Sequence, residues 1–261
     1  MNIQDIRSVG LAAACKGAAI LKSRLGKLPE IMKKGDIDLV TVADLESEKA
    51  IIGAIRDSFP EHAVLAEESG LAKGPAKNRW IIDPLDGTTN FAHGLGLFCV
   101  SIAFASEDEI LLGIVSNPAT EELFVAEKGK GATLNGSAIS VSGTEKVSDS
   151  LLVTGFPYNH KEIIDTIMPR FANCLASSQG VRRLGSAALD LCYVACGRFD
   201  GFWEQNLKPW DTAAGMLIAR EAGGAVTDFS GNPFDVYGNE ILATNGRIHA
   251  EMKLLLENEE V

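Results

Sequence analysis

The sequence predicts a mixed fold of the α+β / α/β kind, on three observations. Between Phe98 and Val141, strand-like runs are separated by short turn signals, the pattern of an antiparallel meander. From Leu151 onward strand and helix patterns alternate, which implies a sheet covered by helices. At 261 residues, 46% hydrophobic and 23% charged, the chain is long enough to bury a large core as one domain or as two packed lobes.

From the N-terminus, Ile3, Ile6, Ala13, Ile20 and Leu21 recur at helical spacing, so Ile3 to Leu25 is expected to be a packing helix, thinned at Gly10 and Gly17. Lys33-Lys34-Gly35-Asp36 reads as a polar loop whose lysines suit the edge of an anionic site. Leu39 to Val42 is a short strand by its β-branched content. Asp44 is then expected to cap a helix, with Glu46 and Glu48 in its first turn, Ile51, Ile55 and Phe59 on one face, and Pro60 as the stop. Ala63 to Ala66 is a second short strand, running into Glu67-Glu68, and Leu71 to Arg79 reads as a mobile surface loop.

The apolar run Trp80-Ile81-Ile82 reads as a buried strand ending at Asp83, because Pro84 cannot donate to a ladder and keeps Asp83 extended. Beyond Asn90 to Leu95, the runs Phe98–Ala105, Ile110–Ser116, Glu122–Ala126 and Ala132–Val141 form the meander, with Asn135-Gly136 as a hairpin turn. The polar stretch Ser142 to Ser150 divides the chain into lobes 1–145 and 146–261. The second lobe reads as strand 151–155, helix 163–175, strand 181–184, a helix from Ser186 to Cys196 closed by Gly197, and strand 202–204 ending in Glu204. A helix opened by Trp210-Asp211, with Asp211 as N-cap, runs to Gly223-Gly224; Val226–Asp228, Ile241–Thr244 and a helix 248–256 complete it.

The chemistry concentrates at Asp83-Pro84-Leu85-Asp86-Gly87-Thr88-Thr89-Asn90. Two carboxylates this close repel unless a cation lies between them, and free N–H groups at a helix start favour a phosphate oxygen. Metal plus phosphate is the reading, although the same residues also suit an ordinary strand-to-helix turn. Asp86-Gly87-Thr88 matches half of the motif of phosphatases that form an aspartyl-phosphate, but that chemistry needs an acid where Pro84 stands, so paired metal ligands are favoured over a covalent nucleophile. If the strands ending in Glu67 and Asp83 run side by side, the two acids meet and complete a three-carboxylate cluster suited to Mg²⁺.

The net charge of −11 argues against non-specific nucleic-acid binding and against docking on anionic membranes. An acidic protein handling an anionic substrate needs local positive charge, which carboxylate-held divalent metals supply. Five cysteines without a Cys-x-x-Cys pair fit a reduced, cytoplasmic compartment, and Cys192 and Cys196 fit the core better than a metal site. No basic segment precedes an apolar run and cleavage site, and no run reaches membrane-spanning length, so a soluble, unprocessed protein is expected.

Ala66-Glu67-Glu68-Ser69, Trp80 through Phe91, and Trp210-Asp211-Thr212-Ala213-Ala214-Gly215 with Glu221-Ala222-Gly223-Gly224 resemble the inositol monophosphatase family, in order and along essentially the whole chain. Phe199 to Asp211 looks most like its bacterial members. The resemblance implies a layered αβαβα sandwich of the sugar-phosphatase type and a Mg²⁺-dependent, lithium-sensitive phosphomonoesterase, commonly a homodimer. Glu67, Asp83 and the Leu85 carbonyl match the ligands of one metal, and Asp83, Asp86 and Asp211 those of a second; Glu67 reaches a third through water, so two or three Mg²⁺ are expected. Gly87 and Thr88 match the phosphate-binding amides, Thr88 also the hydroxyl that positions the attacking water, and Asp44 its acidic partner. Gly185, Ser186 and Ala187 match the segment beside the sugar ring, where animal members usually carry threonine at the position of Ser186. Glu204 matches the acid that bonds a substrate hydroxyl. The implied reaction is in-line attack of metal-activated water on inositol monophosphate, without a covalent intermediate. Fructose 1,6-bisphosphate, histidinol phosphate and a 3′-phosphoadenosine nucleotide are alternative substrates, for which Arg182, Arg183, Lys161 and Lys208 are candidate cationic contacts. A regulatory binding role in the transcription or RNA-processing machinery, through protein rather than RNA contact, is the alternative from another class.

Overall fold

Side chains alternate across the strand that carries Trp80 to Asp83, and both of its faces are buried: Trp80 and Ile82 belong to one hydrophobic cluster and Ile81 to another. That strand lies inside the molecule, between two layers of helix. The computed structural model describes residues 2–27, 31–33, 39–72 and 77–257. In chain order the elements are α1 (Ile3–Arg24), β1 (Ile31–Lys33), β2 (Leu39–Thr41), α2 (Val42–Ser58), β3 (Ala63–Ala66), β4 (Gly70–Ala72), β5 (Asn78–Asp86), α3 (Thr88–Ala92), β6 (Cys99–Ser106), β7 (Glu109–Asn117), β8 (Glu122–Glu127), β9 (Ala132–Leu134) and β10 (Ser137–Ala138). After a 3₁₀ turn at Val147–Asp149 come β11 (Leu151–Thr154), α4 (Ile164–Ser177), β12 (Gly180–Arg182), α5 (Ala187–Ala195), β13 (Gly201–Gln205), α6 (Pro209–Glu221), β14 (Ala225–Thr227), β15 (Glu240–Thr244) and α7 (His249–Leu256).

These build an αβαβα sandwich. An eight-stranded sheet has the order β10-β9-β8-β7-β6-β5-β3-β4, and a five-stranded sheet the order β12-β11-β13-β15-β14; β1 and β2 pair separately. Helices α1 and α2 cover the outer face of the large sheet, α5 and α6 lie between the sheets, and α4 and α7 cover the far face of the small one. Three apolar clusters fill the gaps between layers. The central cluster takes residues from both halves of the chain, from Ile81 to Ala243. On β6 the residues facing α5 and α6 are small, Cys99, Ala103 and Ala105, whereas those facing α1 and α2 are Val100, Ile102 and Phe104. The small side lets α6 approach closely: a Cβ on Gly113 of β7 would come within 2.6 Å of the Ala214 carbonyl oxygen. Gly10 and Gly17 serve α1 likewise, against the side chains of Ile114 and Ile51.

Several boundaries differ from the sequence expectation. β5 does not end at Asp83 but continues to Asp86, its register against β6 shifting between Asp83 and Asp86. Pro84, which has no N–H to donate, falls inside that irregularity. Asp44 and Asp211 are not N-caps. Thr41 and Lys208 hold those positions, and each aspartate sits three residues in, reaching back to the N-cap N–H as the acid of a capping box. Gly70–Ala72 is a strand paired with β3, so the expected loop starts later, and its central residues 73–76 lie outside the described ones. Lys34 lies outside them too. No helix among the described residues is long and apolar enough to cross a membrane.

Candidate active site

Parallel pairing of β3 with β5 puts Ala66 opposite Ile82, and the Glu67 N–H donates to the Ile82 carbonyl at 3.2 Å. Glu67 therefore arrives beside Asp83. The two strands open into a cleft of about 940 Å³ lined by Glu67, Asp83, Leu85, Asp86, Gly87, Thr88, Gly185, Ser186, Ala187, Glu204 and Asp211. The expected metal ligands and the residues matched to the phosphate and sugar sites thus line one cavity; Asp44 stands behind it.

The end of β5 and the turn after it are held from several sides. The Leu85 N–H donates to Asp83 Oδ1 at 2.9 Å, and Ser47 Oγ of α2 donates to the Pro84 carbonyl at 2.9 Å. Gly87 takes φ +92°, and a Cβ there would stand 2.8 Å from the Leu97 carbonyl oxygen, so both conformation and space demand glycine. Gly87 itself caps α3, which is only five residues long and has no side-chain cap. Asn90 ties it across the cleft, its Nδ2 donating to the carbonyls of Leu97 at 2.7 Å and Leu184 at 2.8 Å.

Thr88 and Asp44 form a buried pair. Asp44 Oδ2 accepts from the Thr41 N–H at 2.8 Å and the Thr41 hydroxyl at 2.6 Å, and its Oδ1 accepts from Thr88 Oγ1 at 3.1 Å. Burial pushes the Asp44 carboxyl up, and these bonds pull it back. The Thr88 hydroxyl also lies 3.0 Å from the Leu85 carbonyl. It has one proton and serves one acceptor at a time.

Asp86 is anchored by the start of α5: its Oδ2 accepts from Ser186 Oγ at 2.6 Å and the Ala188 N–H at 2.8 Å, with the Cys99 thiol at 3.7 Å. Asp211 Oδ2 accepts from the Lys208 N–H at 2.7 Å. Glu204 is buried against Gly155, where a Cβ would collide with its carboxyl group.

The electrostatics show how closely the acids are gathered. Asp83 is pushed well above the usual carboxylate range by burial and then by Glu67, Asp86 and Asp211 in turn. Burial, then Asp86, raises Asp211 to about 7; burial, then Asp211, raises Glu204 to about 8, with Arg183 opposing. Among the described residues no ion pair to Lys or Arg relieves Asp83, Asp86 or Asp211. Nor do three acid, His or Cys side chains there stand preassembled as a metal-ligand set. The donor chemistry, carboxylate oxygens plus the Leu85 carbonyl in one polar cleft, fits hard divalent cations, and such cations would remove the mutual repulsion.

Sequence reasoning missed the stretch Gly155-Phe156-Pro157-Tyr158 and His160, which lines the cleft, and Asp190 of α5. The signal for Asp190 was present: it is the one charged residue in the helix Ala-Ala-Leu-Asp-Leu-Cys-Tyr-Val-Ala. Of the candidate cations, Arg183 and Lys208 line the cleft; Arg182 and Lys161 do not.

A profile of the inositol monophosphatase family matches residues 2–259. An inositol-1-monophosphatase of Synechocystis is 46% identical over 258 residues, covering 98% of this chain and 90% of that protein. The Nus factor SuhB of Vibrio cholerae is 42% identical, covering 96% of each. Among solved structures, inositol monophosphatase from Anabaena superposes with a TM-score of 0.89 at 43% identity, covering 98% of this chain and 96% of that one. With a matching profile, related sequences and a shared fold running through nearly all its length, the chain belongs to the inositol monophosphatase family.

Proposed function

We propose that this protein is a Mg²⁺-dependent phosphomonoesterase that hydrolyses inositol monophosphate to inositol and phosphate. The observation that carries the reading is the convergence of Glu67, Asp83, Asp86 and Asp211 on one cleft beside Gly87 and Thr88. Family members are generally metal-dependent. Oxygen-only ligands favour Mg²⁺, two or three per site: Glu67, Asp83 and the Leu85 carbonyl at one, Asp83, Asp86 and Asp211 at another. When bound, these ions supply the positive charge that makes a water more acidic and stabilises a departing alkoxide.

The chain's own residues do the positioning. Gly87, Thr88 and Thr89 begin α3, whose first-turn N–H groups have no intrahelical acceptor and suit the phosphate oxygens. With the Thr88 proton directed to Asp44 Oδ1, the Thr88 oxygen accepts a hydrogen bond from the attacking water, and Glu67 accepts the other. Attack forms a new P–O bond as the ester P–O bond breaks; the alcohol leaves with a proton derived from water, and no residue is covalently modified. Glu204, with Gly185, Ser186 and Ala187, takes the leaving group. Lobes 1–145 and 146–261 meet at this cleft, a division supported by the passage from one sheet to the other between Ala138 and Leu151.

Phosphate release with Mg²⁺ from inositol 1-phosphate, fructose 1,6-bisphosphate, histidinol phosphate and 3′-phosphoadenosine 5′-phosphate tests the reading. Preference for inositol 1-phosphate is expected; preference for another ester reassigns the leaving-group pocket. Five free thiols support a reduced cytoplasmic setting, and a homodimer without direct nucleic-acid contact is the assembly we propose. The relative named Nus factor SuhB favours a second, non-catalytic role in transcription through protein contacts. A pull-down of transcription proteins unaffected by loss of catalysis would support it.

A further inference from the structure

Asp190 is 1% exposed, and neither Oδ1 nor Oδ2 has a hydrogen-bond partner among the described residues. A buried carboxyl left in that state opposes folding, so a native chain that keeps one calls for a reason. The structural aspartates here look different. Asp200 is also buried, yet one of its oxygens takes the Ser142 hydroxyl at 2.5 Å and the other the Leu151 N–H at 2.7 Å.

Asp190 also lines the cleft. It lies one turn beyond Ser186, on the same side of α5, and Ser186 is bonded to Asp86. That displacement, roughly 6 Å along the helix axis, leads away from the metal-binding acids by about the reach of a small polyol. Its electrostatic neighbours are Glu204, Asp86 and Arg183; burial is the main influence on it, and the two acids raise it further. Arg183 does not neutralise it by contact: its guanidinium packs over Gly185 and makes no ion pair among the described residues. The cleft lining is acidic, with Arg183 and Lys208 as its Arg and Lys residues, and bound Mg²⁺ would offset the charge of Glu67, Asp83, Asp86 and Asp211. Hydroxyl donors are what a polyol leaving group brings to the Asp190 oxygens.

We propose that Asp190 is a specificity-determining residue, whose carboxyl takes a hydrogen bond from a second hydroxyl of the leaving group beside the one held by Glu204. This rests on the phosphomonoesterase reading above. The cleft then selects polyol esters, because an alcohol without the second hydroxyl leaves Asp190 buried and unpaired.

The test compares wild type, Asp190→Ala and Asp190→Asn, loaded with Mg²⁺, on inositol 1-phosphate and on p-nitrophenyl phosphate, whose leaving group has no further hydroxyl. Asp190→Ala is expected to lower kcat/KM for inositol 1-phosphate by roughly ten- to a hundredfold, mainly through KM, and to change that for p-nitrophenyl phosphate by less than about twofold. Asparagine keeps one acceptor oxygen and recovers part of the loss. Both variants, free of substrate, should melt at or above the wild-type temperature, because they remove an unsatisfied buried acid. Equal losses on both esters, no loss on either, or failure of both variants to fold would each overturn the proposal.

Titrating free inositol into the same Mg²⁺-loaded proteins separates this inference from the reading beneath it. Wild type that binds inositol in an Asp190-dependent way but hydrolyses neither ester sinks the phosphatase reading and keeps the subsite. Hydrolysis with inositol binding indifferent to Asp190 does the reverse.

Discussion

Stripped of metal, the protein should lose stability as pH rises from 6 to 8, and Glu204 should account for a measurable part of the loss. Its carboxyl has an ordinary pKa of 4.5 and is lifted to about 8 in the fold, chiefly by burial and next by Asp211. Between those values the folded state holds a proton that the unfolded chain has released. Stability is therefore highest below the unfolded pKa and falls as pH climbs towards the folded one. At about 1.4 kcal/mol per unit, with the slope flattening near pH 8, Glu204 alone removes about 2 kcal/mol between pH 6 and 8. Asp211, lifted to about 7, acts in the same sense, but it is only half-buried and water screens part of its effect. For a chain of this length about 2 kcal/mol corresponds to a fall of roughly 4 °C in Tm. Differential scanning calorimetry after chelation, at matched ionic strength, reads it. The general repulsion of an acidic protein also grows with pH, so the decisive comparison is with Glu204→Gln, which should lose that part of the slope. Saturating Mg²⁺ should raise Tm most at the higher pH. A Glu204→Gln protein with the wild-type slope would refute the reasoning.

Asp83→Asn should lower turnover of inositol 1-phosphate by about a thousandfold or more while the metal-free protein melts no lower than wild type, since it relieves repulsion from Glu67, Asp86 and Asp211; a folded, nearly active variant contradicts the role of Asp83. Gly87→Ala forces a side chain into φ +92° and against the Leu97 carbonyl, so it should cost about 1–3 kcal/mol, readable in urea unfolding, and an unchanged midpoint counts against the stated geometry. Ser186→Ala removes the 2.6 Å hydroxyl bond to Asp86 but leaves the Ala188 N–H in place; the Mg²⁺ concentration for half-maximal activity should rise several-fold, and an unshifted requirement argues that the Ser186 bond does not orient Asp86 for metal.

The layers were legible because burial repeats along each element. Trp80, Ile81 and Ile82 read as a buried strand, and the turn signals between Ala105 and Ala132 marked the meander that the ladder from β6 to β9 forms. The meeting of Glu67 with Asp83 was also foreseeable, given one assumption, that their strands pair side by side. What a linear reading could not supply was contact across the chain. Asn90 reaches Leu184, Asp86 reaches Ser186, and the residues after Gly155 line the cleft; each joins elements far apart in sequence. Asp190 was overlooked for a related reason: a lone acid in an apolar helix acquires meaning only when its lack of partners is seen.

In Asp44 and Asp211 the cap and the proposed site role, set against each other in the sequence, fall to one device. Each acid stands at the third position of its helix, with Oδ2 on the N–H of the N-cap residue, Thr41 or Lys208. In Asp44 the other oxygen is bonded to Thr88. The cap fixes the rotamer before any ligand arrives, so the free oxygen is aimed at little further entropic cost. An acid one turn inside a helix can thus stabilise the fold and serve the cleft, one oxygen for each. Replacing Asp44 by asparagine keeps the shape but makes one of the two positions a donor. Thr88 and the Thr41 N–H both need an acceptor there, so the variant must lose either a cap bond or the bond that directs the Thr88 proton. Melting temperature and turnover, measured on the same Asp44→Asn protein, would show which oxygen was given up. A variant unchanged in both would break the link between cap and site.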